Sequence, residues 1–454
     1  MEISSLVTAQ RKYFESGATR STEFRIEMLK GLRRSILNNN GEISEALMRD
    51  LNKHPYETYM CETGLVLDEI AYHIKHLAKW NRVRHVPGSV GQLPGSGRVY
   101  PEPYGVTLIM APWNYPVQLC LMPLIGAISA GNCAVIKPSA YAQESSHVIS
   151  KIISEAFLPE YISVIEGGRA ENQALLEEKF DYIFFTGSPK VGQLVMEQAA
   201  KNLTPVTLEL GGKSPVIVDN TANISLAARR VAFGKVLNAG QTCVEPDYLL
   251  IQSEVKDRFI GEYKKALKSF FPNGDMSGMA HIINDKHFDR LTALLSCGTA
   301  VIGGHADKAS RFIEPTVLTD VAPDCAIMQQ EIFGPILPVL CCDSIDECIG
   351  IIRSKPRPLA LYIFSEDKRA QKKVLDSCSF GGGCINDTIL HLAGSSMSFG
   401  GVGDSGMGSY HGQKSYETFT HFRSVLRQST AIDVPLRYLP YNAVKEKIVK
   451  KILK

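Results

Sequence analysis

Tyr182-Ile183-Phe184-Phe185-Thr186-Gly187-Ser188-Pro189-Lys190-Val191-Gly192 is the stretch on which the reading of the fold turns. Its opening apolar run has the length of a buried strand. Gly187 breaks the run, Ser188 fits an N-cap and Pro189 fits the first helical position. The segment therefore predicts strand, tight turn and helix. A helix start free of bulky side chains can receive a pyrophosphate, which makes Gly187, Ser188 and Gly192 candidate cofactor contacts. It is not the GxGxxG fingerprint, because Gly187 and Gly192 are the only glycines at this turn.

The same rhythm extends in both directions. Short apolar runs at 106–110, 134–136, 162–165 and 206–208 alternate with helix-like stretches such as 145–157 and 189–201. Alternation of this kind implies a parallel sheet covered on both faces, with ligands beyond the carboxyl ends of its strands. Upstream, residues 1–80 read as helical, with Ile26, Leu29, Leu32 and Ile36 at helical spacing. Residues 81–104 are punctuated by proline and glycine and read as short β pieces leaving the main body. From Pro215 a second α/β rhythm begins, with strands near 334–341 and 359–364 and a helix near 345–354. The glycine-rich stretch 398–412 reads as a loop. It contains a literal GxGxxG at Gly401, Gly403 and Gly406, but no strand leads in and no helix with a ribose-binding acid about 20 residues on is evident, so it reads as a decoy.

The bulk composition narrows the function. A chain of 454 residues is too long for one core, so two domains are expected. A net charge of +2 argues against nucleic acid as a partner. Eleven cysteines cannot all pair, and they form no CxxC and no cluster with metal-ligand spacing. Cys120, Cys133 and Cys384 read as small buried hydrophobes, and no metal site is expected. A reducing, cytoplasmic compartment fits this usage. No signal-peptide pattern follows Met1, and no apolar run reaches the roughly 18 residues needed to cross a bilayer. The last residues, Val444 to Lys454, place Val444, Ile448, Val449, Ile452 and Leu453 on one helical face and five lysines on the rest. The favoured reading is a basic, partly frayed terminal helix docked on its own protein or a partner subunit; the other is weak association with a membrane surface.

Four motifs carry chemistry. Gly240-Gln241-Thr242-Cys243 puts a thiol in a small-residue turn after a predicted helix, where a nucleophile can meet substrate. A lone cysteine is more often a core residue, so the motif needs company. Val206 to Lys213 ends a strand at Glu209 and turns on Gly211 and Gly212. Beside a nucleophilic thiol, that carboxylate can activate the water that hydrolyses a thioester. Alone it would read as a solvated loop acid. Pro112-Trp113-Asn114-Tyr115-Pro116 follows another strand, and the Asn114 amide there can donate to a developing oxyanion. Gln330-Glu331-Ile332-Phe333-Gly334-Pro335 offers a carboxylate for a ribose hydroxyl and a ring to pack on a nicotinamide.

Together with Ile136-Lys137-Pro138-Ser139 and Phe399-Gly400-Gly401-Val402-Gly403 running on to Ser409-Tyr410-His411-Gly412, these motifs resemble the aldehyde dehydrogenase superfamily over nearly the whole chain. The Gly-Ser-Tyr-His-Gly segment looks most like the class 3 branch, with its dimeric and fatty-aldehyde enzymes. The resemblance implies a Rossmann-like cofactor domain (1–80 and 105–208), a second α/β catalytic domain (209–404), a small β element of bridging segments (81–104 and 418–435) and a basic tail (440–454). It implies Cys243 as nucleophile, Glu209 as general base and Asn114 with the Cys243 N–H as oxyanion hole. Lys137 would contact the adenosine ribose or a 2′-phosphate, Gly187, Ser188 and the helix start running to Gly192 the pyrophosphate, and Glu331 and Phe333 the nicotinamide end. Tyr115 and Phe399 would border the aldehyde pocket. NAD or NADP is the implied cofactor, a medium- to long-chain aliphatic or aromatic aldehyde the implied substrate, and a homodimer the implied assembly. Many relatives carry a glutamate where this chain has Ala140, and its absence removes one reason to exclude NADP. Many other classes carry a lysine between 118 and 123, and this chain has none. Two alternatives stand beside this reading: a CoA-acylating reductase and, more remotely, a non-catalytic protein on the same scaffold.

Overall fold

Five parallel strands whose residues are almost all buried, with one short antiparallel strand at the edge, make the first sheet. In a computed structural model describing residues 2–453, its order is Gly406–Met407, Val206–Glu209, Tyr182–Thr186, Val106–Met110, Cys133–Lys137 and Ile162–Val164. Met1 and Lys454, the outer ends of segments 1–80 and 440–454, lie outside the described residues. Runs such as Val106–Met110 are apolar without alternation because helices cover both faces of such a sheet. Helices Ile3–Glu15, Pro116–Ala130, Gln143–Ala156 and Pro189–Lys201 pack on these strands. Pro116–Ala130 is apolar on every side and buried at every residue. It starts on Pro116 and stops at Gly131, whose φ of 95° a side chain would resist.

The order of strands reverses beside Val106–Met110. The chain goes outward to Cys133–Lys137 and Ile162–Val164, then crosses back to Tyr182–Thr186 on the other flank. The loops leaving the carboxyl ends of Val106–Met110 and Tyr182–Thr186 must therefore diverge, and a crevice opens between them.

The second sheet runs Thr299–Ile302, Thr316–Thr319, Ile336–Cys342, Tyr248–Gln252, Pro215–Val218, Ala360–Phe364 and Gly382–Ile385. Only its Thr299–Ile302 edge is antiparallel. Arg84–Val86, Ser96–Pro103 and Thr420–Arg427 form a separate three-stranded antiparallel sheet. This is where the proline- and glycine-punctuated segment and the 418–435 segment meet.

Two expectations need correction. The 398–412 stretch is not loop throughout: Gly406–Met407 pairs antiparallel with Leu208 and Glu209 and closes that edge of the first sheet. Cys384 is half-buried rather than interior, because its strand lies at the edge of the second sheet, and its Sγ is 3.6 Å from His391 Nδ1. Cys120 and Cys133 are buried. At the C-terminus the helix Ala443–Ile452 is capped by the Asn442 side chain. Val449, Ile452 and Leu453 face Leu93, Pro94 and Ile432 across a cavity of about 360 Å³. Among the described residues no helix is long and apolar enough to cross a membrane.

Candidate active site

A cavity of about 260 Å³ occupies the crevice. Asn114 comes to it from the loop after Val106–Met110, and Gly187 and Ser188 from the loop after Tyr182–Thr186. Glu209 is the last residue of its strand, and Cys243, Glu331 and Phe333 arrive from segments leading into strands of the second sheet. Seven of the residues singled out in the sequence thus line one space.

Cys243 is half-buried and follows an unusual turn. Asn238, Ala239 and Gly240 have φ of 51°, 52° and 70°, three left-handed residues in succession. Two of them carry a Cβ, at a cost of roughly 1–2 kcal/mol each. Gln241 holds the turn: its Nε2 donates to Asn238 O and His281 O at 3.0 Å, and its Oε1 accepts from Ile283 N at 3.0 Å. On either side of Cys243, Thr242 Oγ1 is bonded to Tyr115 Oη at 2.8 Å and Val244 O accepts from Tyr362 Oη at 2.6 Å. The sulfur is therefore held by its neighbours on both sides. Burial pushes its thiol well up from the ordinary value, and the carboxyls of Glu331 and Glu209 push the same way.

Glu209 is 2% exposed, and neither of its oxygens has a hydrogen-bond partner in the protein. A solvated loop acid is excluded by that burial. Desolvation raises its carboxyl well above the carboxylate range. Asn114 gives one side-chain N–H to Gln241 O at 3.0 Å, which leaves its second N–H uncommitted. This amide is 2% exposed and lines the cavity beside the sulfur.

The nicotinamide-end candidates sit on a clamped loop. Arg290 Nη2 donates to Ile332 O at 2.7 Å, Asp247 Oδ1 accepts from Ile332 N at 2.7 Å, and Lys213 donates to Gln330 O at 2.8 Å. The clamp holds Phe333 at φ 52°, and its ring meets Trp113 edge-on at 5.4 Å. The Glu331 carboxyl lies against Gly211, where any side chain would displace it. Burial, aided by Asp247, raises it to about 8. Its Oε1 has no partner. Ser188 caps Pro189–Lys201 in position but not in chemistry, since its side chain makes no cap bond. The open start of that 13-residue helix and the orphaned Glu331 oxygen fit a dinucleotide's pyrophosphate and ribose.

Four predicted residues lie outside the lining of this cavity. Lys137 is buried, and its Nζ donates to Pro138 O at 2.7 Å and Gly167 O at 2.6 Å. Gly192 lies inside its helix against Leu210, where a Cβ would come within 2.7 Å of Leu210 Cδ2. Tyr115 is buried beneath, on Thr242. Phe399 belongs to a neighbouring cluster, 5.9 Å from Tyr410, 5.6 Å from His411 and 6.0 Å from His391. The sequence reading missed His287 and Arg290, which line the cavity from the helix Asp285–Leu294. Their only signal was spacing on a polar helix. Burial and the nearby Arg290 and Lys286 charges lower His287 to about 4, so it is neutral near pH 7.

An aldehyde dehydrogenase family model matches residues 1–425. The 4,4′-diaponeurosporen-aldehyde dehydrogenase of Staphylococcus aureus (strain NCTC 8325 / PS 47) is 48% identical over 98% of this chain and 97% of its own. The mouse (Mus musculus) dimeric NADP-preferring aldehyde dehydrogenase is 44% identical over 94% of this chain and 95% of its own. A substrate-bound structure of Staphylococcus aureus AldH superposes with a TM-score of 0.97 at 47% identity, covering 100% of this chain and 99% of that one. Enzymes of this kind oxidise aldehydes with NAD or NADP. With those likenesses spanning both sheets and the cavity between them, the chain belongs to the aldehyde dehydrogenase family, in its class 3 branch.

Proposed function

We propose that this chain oxidises a medium- to long-chain aliphatic or aromatic aldehyde to its carboxylic acid through a thioester on Cys243. The observation that carries the reading is Glu209: a carboxyl 2% exposed, without a partner, in the same cavity as the sulfur and the Asn114 amide. The Cys243 thiol gives up its proton to solvent as the sulfur adds to the aldehyde carbon, and the free N–H of Asn114 with the Cys243 backbone N–H receives the negative charge that forms on oxygen. When bound, NAD or NADP takes up the hydride whose departure leaves the thioester. Glu331 and the helix start at Ser188 would hold its ribose and pyrophosphate. Glu209 then removes a proton from water as the water oxygen attacks the thioester carbon, and the sulfur departs with a proton. A carboxyl raised by burial is a stronger base once ionised, so turnover should climb as pH rises.

Glu209→Gln tests this directly: a full first burst of NADH followed by slow turnover is expected. A variant that loses the burst as well would sink the assignment. Addition of CoA separates hydrolysis from acyl transfer, with unchanged turnover expected.

The cofactor preference rests on Ala140, which puts no acid directly after Lys137-Pro138-Ser139 to repel a 2′-phosphate. Dual use of NAD and NADP follows, and an NAD preference in kcat/KM above about 100-fold, some 2.7 kcal/mol, would contradict it. The eleven free thiols support a cytoplasmic setting. The separate antiparallel sheet supports a homodimer in which it bridges subunits. Contact of the tail with membrane is tested by liposome co-sedimentation with and without residues 440–454, equal binding removing it.

A further inference from the structure

Beneath the cavity lies a buried ion pair that the chemistry above leaves unused. Lys53 and Glu62 are both 0% exposed, with Nζ and Oε1 2.5 Å apart. Glu62 stands in a π-helical turn, Tyr59–Thr63, a local widening that re-aims side chains and gathers at functional sites. Its second oxygen accepts from Val117 N at 2.9 Å and Gln118 N at 3.2 Å, in the first turn of Pro116–Ala130. The Lys53 ammonium donates in addition to the backbone carbonyl of Asn114 at 3.1 Å and lies 4.2 Å from the Tyr115 ring centroid. That carbonyl takes a second bond, at 2.8 Å, from the side-chain amide of Asn238 in the turn before Cys243. Asn238 N in turn donates to Glu57 Oε1 at 2.8 Å. The loop bearing the amide and the loop bearing the sulfur are thus tied together at one oxygen, and a buried cation holds it.

A buried ion pair is a poor way to gain stability, since desolvating both charges offsets most of their attraction. It is a good way to define a direction. The Asn114 side chain already spends one N–H on Gln241 O, so the aim of the other depends on where its own backbone is held. We infer that Lys53, locked by Glu62, is a positioning residue that sets the aim of the Asn114 amide at the substrate oxygen. The inference rests on the reading of Asn114 as oxyanion donor.

The test compares Lys53→Met, Lys53→Met/Glu62→Gln, Asn114→Ala and Lys53→Met/Asn114→Ala with the parent enzyme, using octanal and saturating NAD. Folding is followed by thermal unfolding, and the first turnover by stopped-flow NADH absorbance. The neutral double variant removes both charges of the pair together, so it decides the matter if Lys53→Met alone does not fold. A first turnover slower by about 100-fold is expected in the Lys53 variants, as for a displaced catalytic group. NAD affinity and aldehyde KM should stay within about threefold, because ground-state binding is untouched. In the Asn114→Ala background the Lys53 substitution should add no further loss, which a merely structural role would not produce. Parental first turnover in the folded double variant overturns the inference, as does an equal loss in both backgrounds. Normal first turnover in Asn114→Ala instead overturns the oxyanion reading on which it rests.

Discussion

Glu209 and Glu62 are two buried glutamates under opposite regimes. Glu62 has a cation on one oxygen and two backbone N–H groups on the other. Glu209 has nothing on either. The Glu62 carboxyl beneath the cavity is fully satisfied, and the Glu209 carboxyl at its wall is left unsatisfied. Burial alone does not distinguish these two acids; the count of partners does. An orphaned carboxyl is costly, and it persists where its lone pairs are needed for water.

Several experiments would break or sharpen this contrast. The largest effect belongs to the sulfur: Cys243→Ala should cut dehydrogenase turnover by more than about 10³-fold, measured as steady-state NADH formation. Normal turnover would end the comparison at once. Next comes Glu62→Ala, which strands the Lys53 charge and should cost about 3–5 kcal/mol in denaturant unfolding. Glu209→Gln removes no bond and should stay within about 1 kcal/mol of the parent in the same assay. Its penalty falls on turnover instead, by about 10²–10³-fold, in the deacylation step. A smaller effect is electrostatic. Burial, with the Glu331 and Glu209 carboxyls, raises the Cys243 thiol, so its alkylation in the free enzyme should rise with pH through a midpoint above that of an ordinary thiol. Glu331→Gln removes one of those carboxyls and should move that midpoint down, read by mass spectrometry of the Cys243 peptide. The smallest is Gly192→Ala, whose added Cβ asks only the flexible end of Leu210 to give way, at about 1 kcal/mol or less.

The parallel sheet was legible because its strands are unbroken apolar runs. Val106–Met110 and Pro189–Lys201 match their sequence reading at both ends, the helix because serine and proline mark its start. Glu209, Asn114 and Cys243 were legible from their places at strand ends and in a small-residue turn, once read together. What escaped was whatever depends on long-range partners. Lys53, in a short loop, and Glu62 look like ordinary surface charges, and only the fold brings them under Asn114, 61 and 52 positions away. His287 and Arg290 face inward on a helix whose composition announces solvent. Gly406–Met407 is too short for any alternation to show.

That two-residue strand has a consequence for synthesis. The edge it covers belongs to Val206–Glu209, made roughly two hundred residues earlier. At about 5–20 residues per second, a ribosome leaves that edge bare for about 10–40 seconds. During that interval the nascent sheet offers a free row of amides and carbonyls to any neighbouring chain. Truncated products ending before Gly406 should therefore clump, and the enzyme should gain more from chaperones that shield emerging chains than its finished stability would indicate.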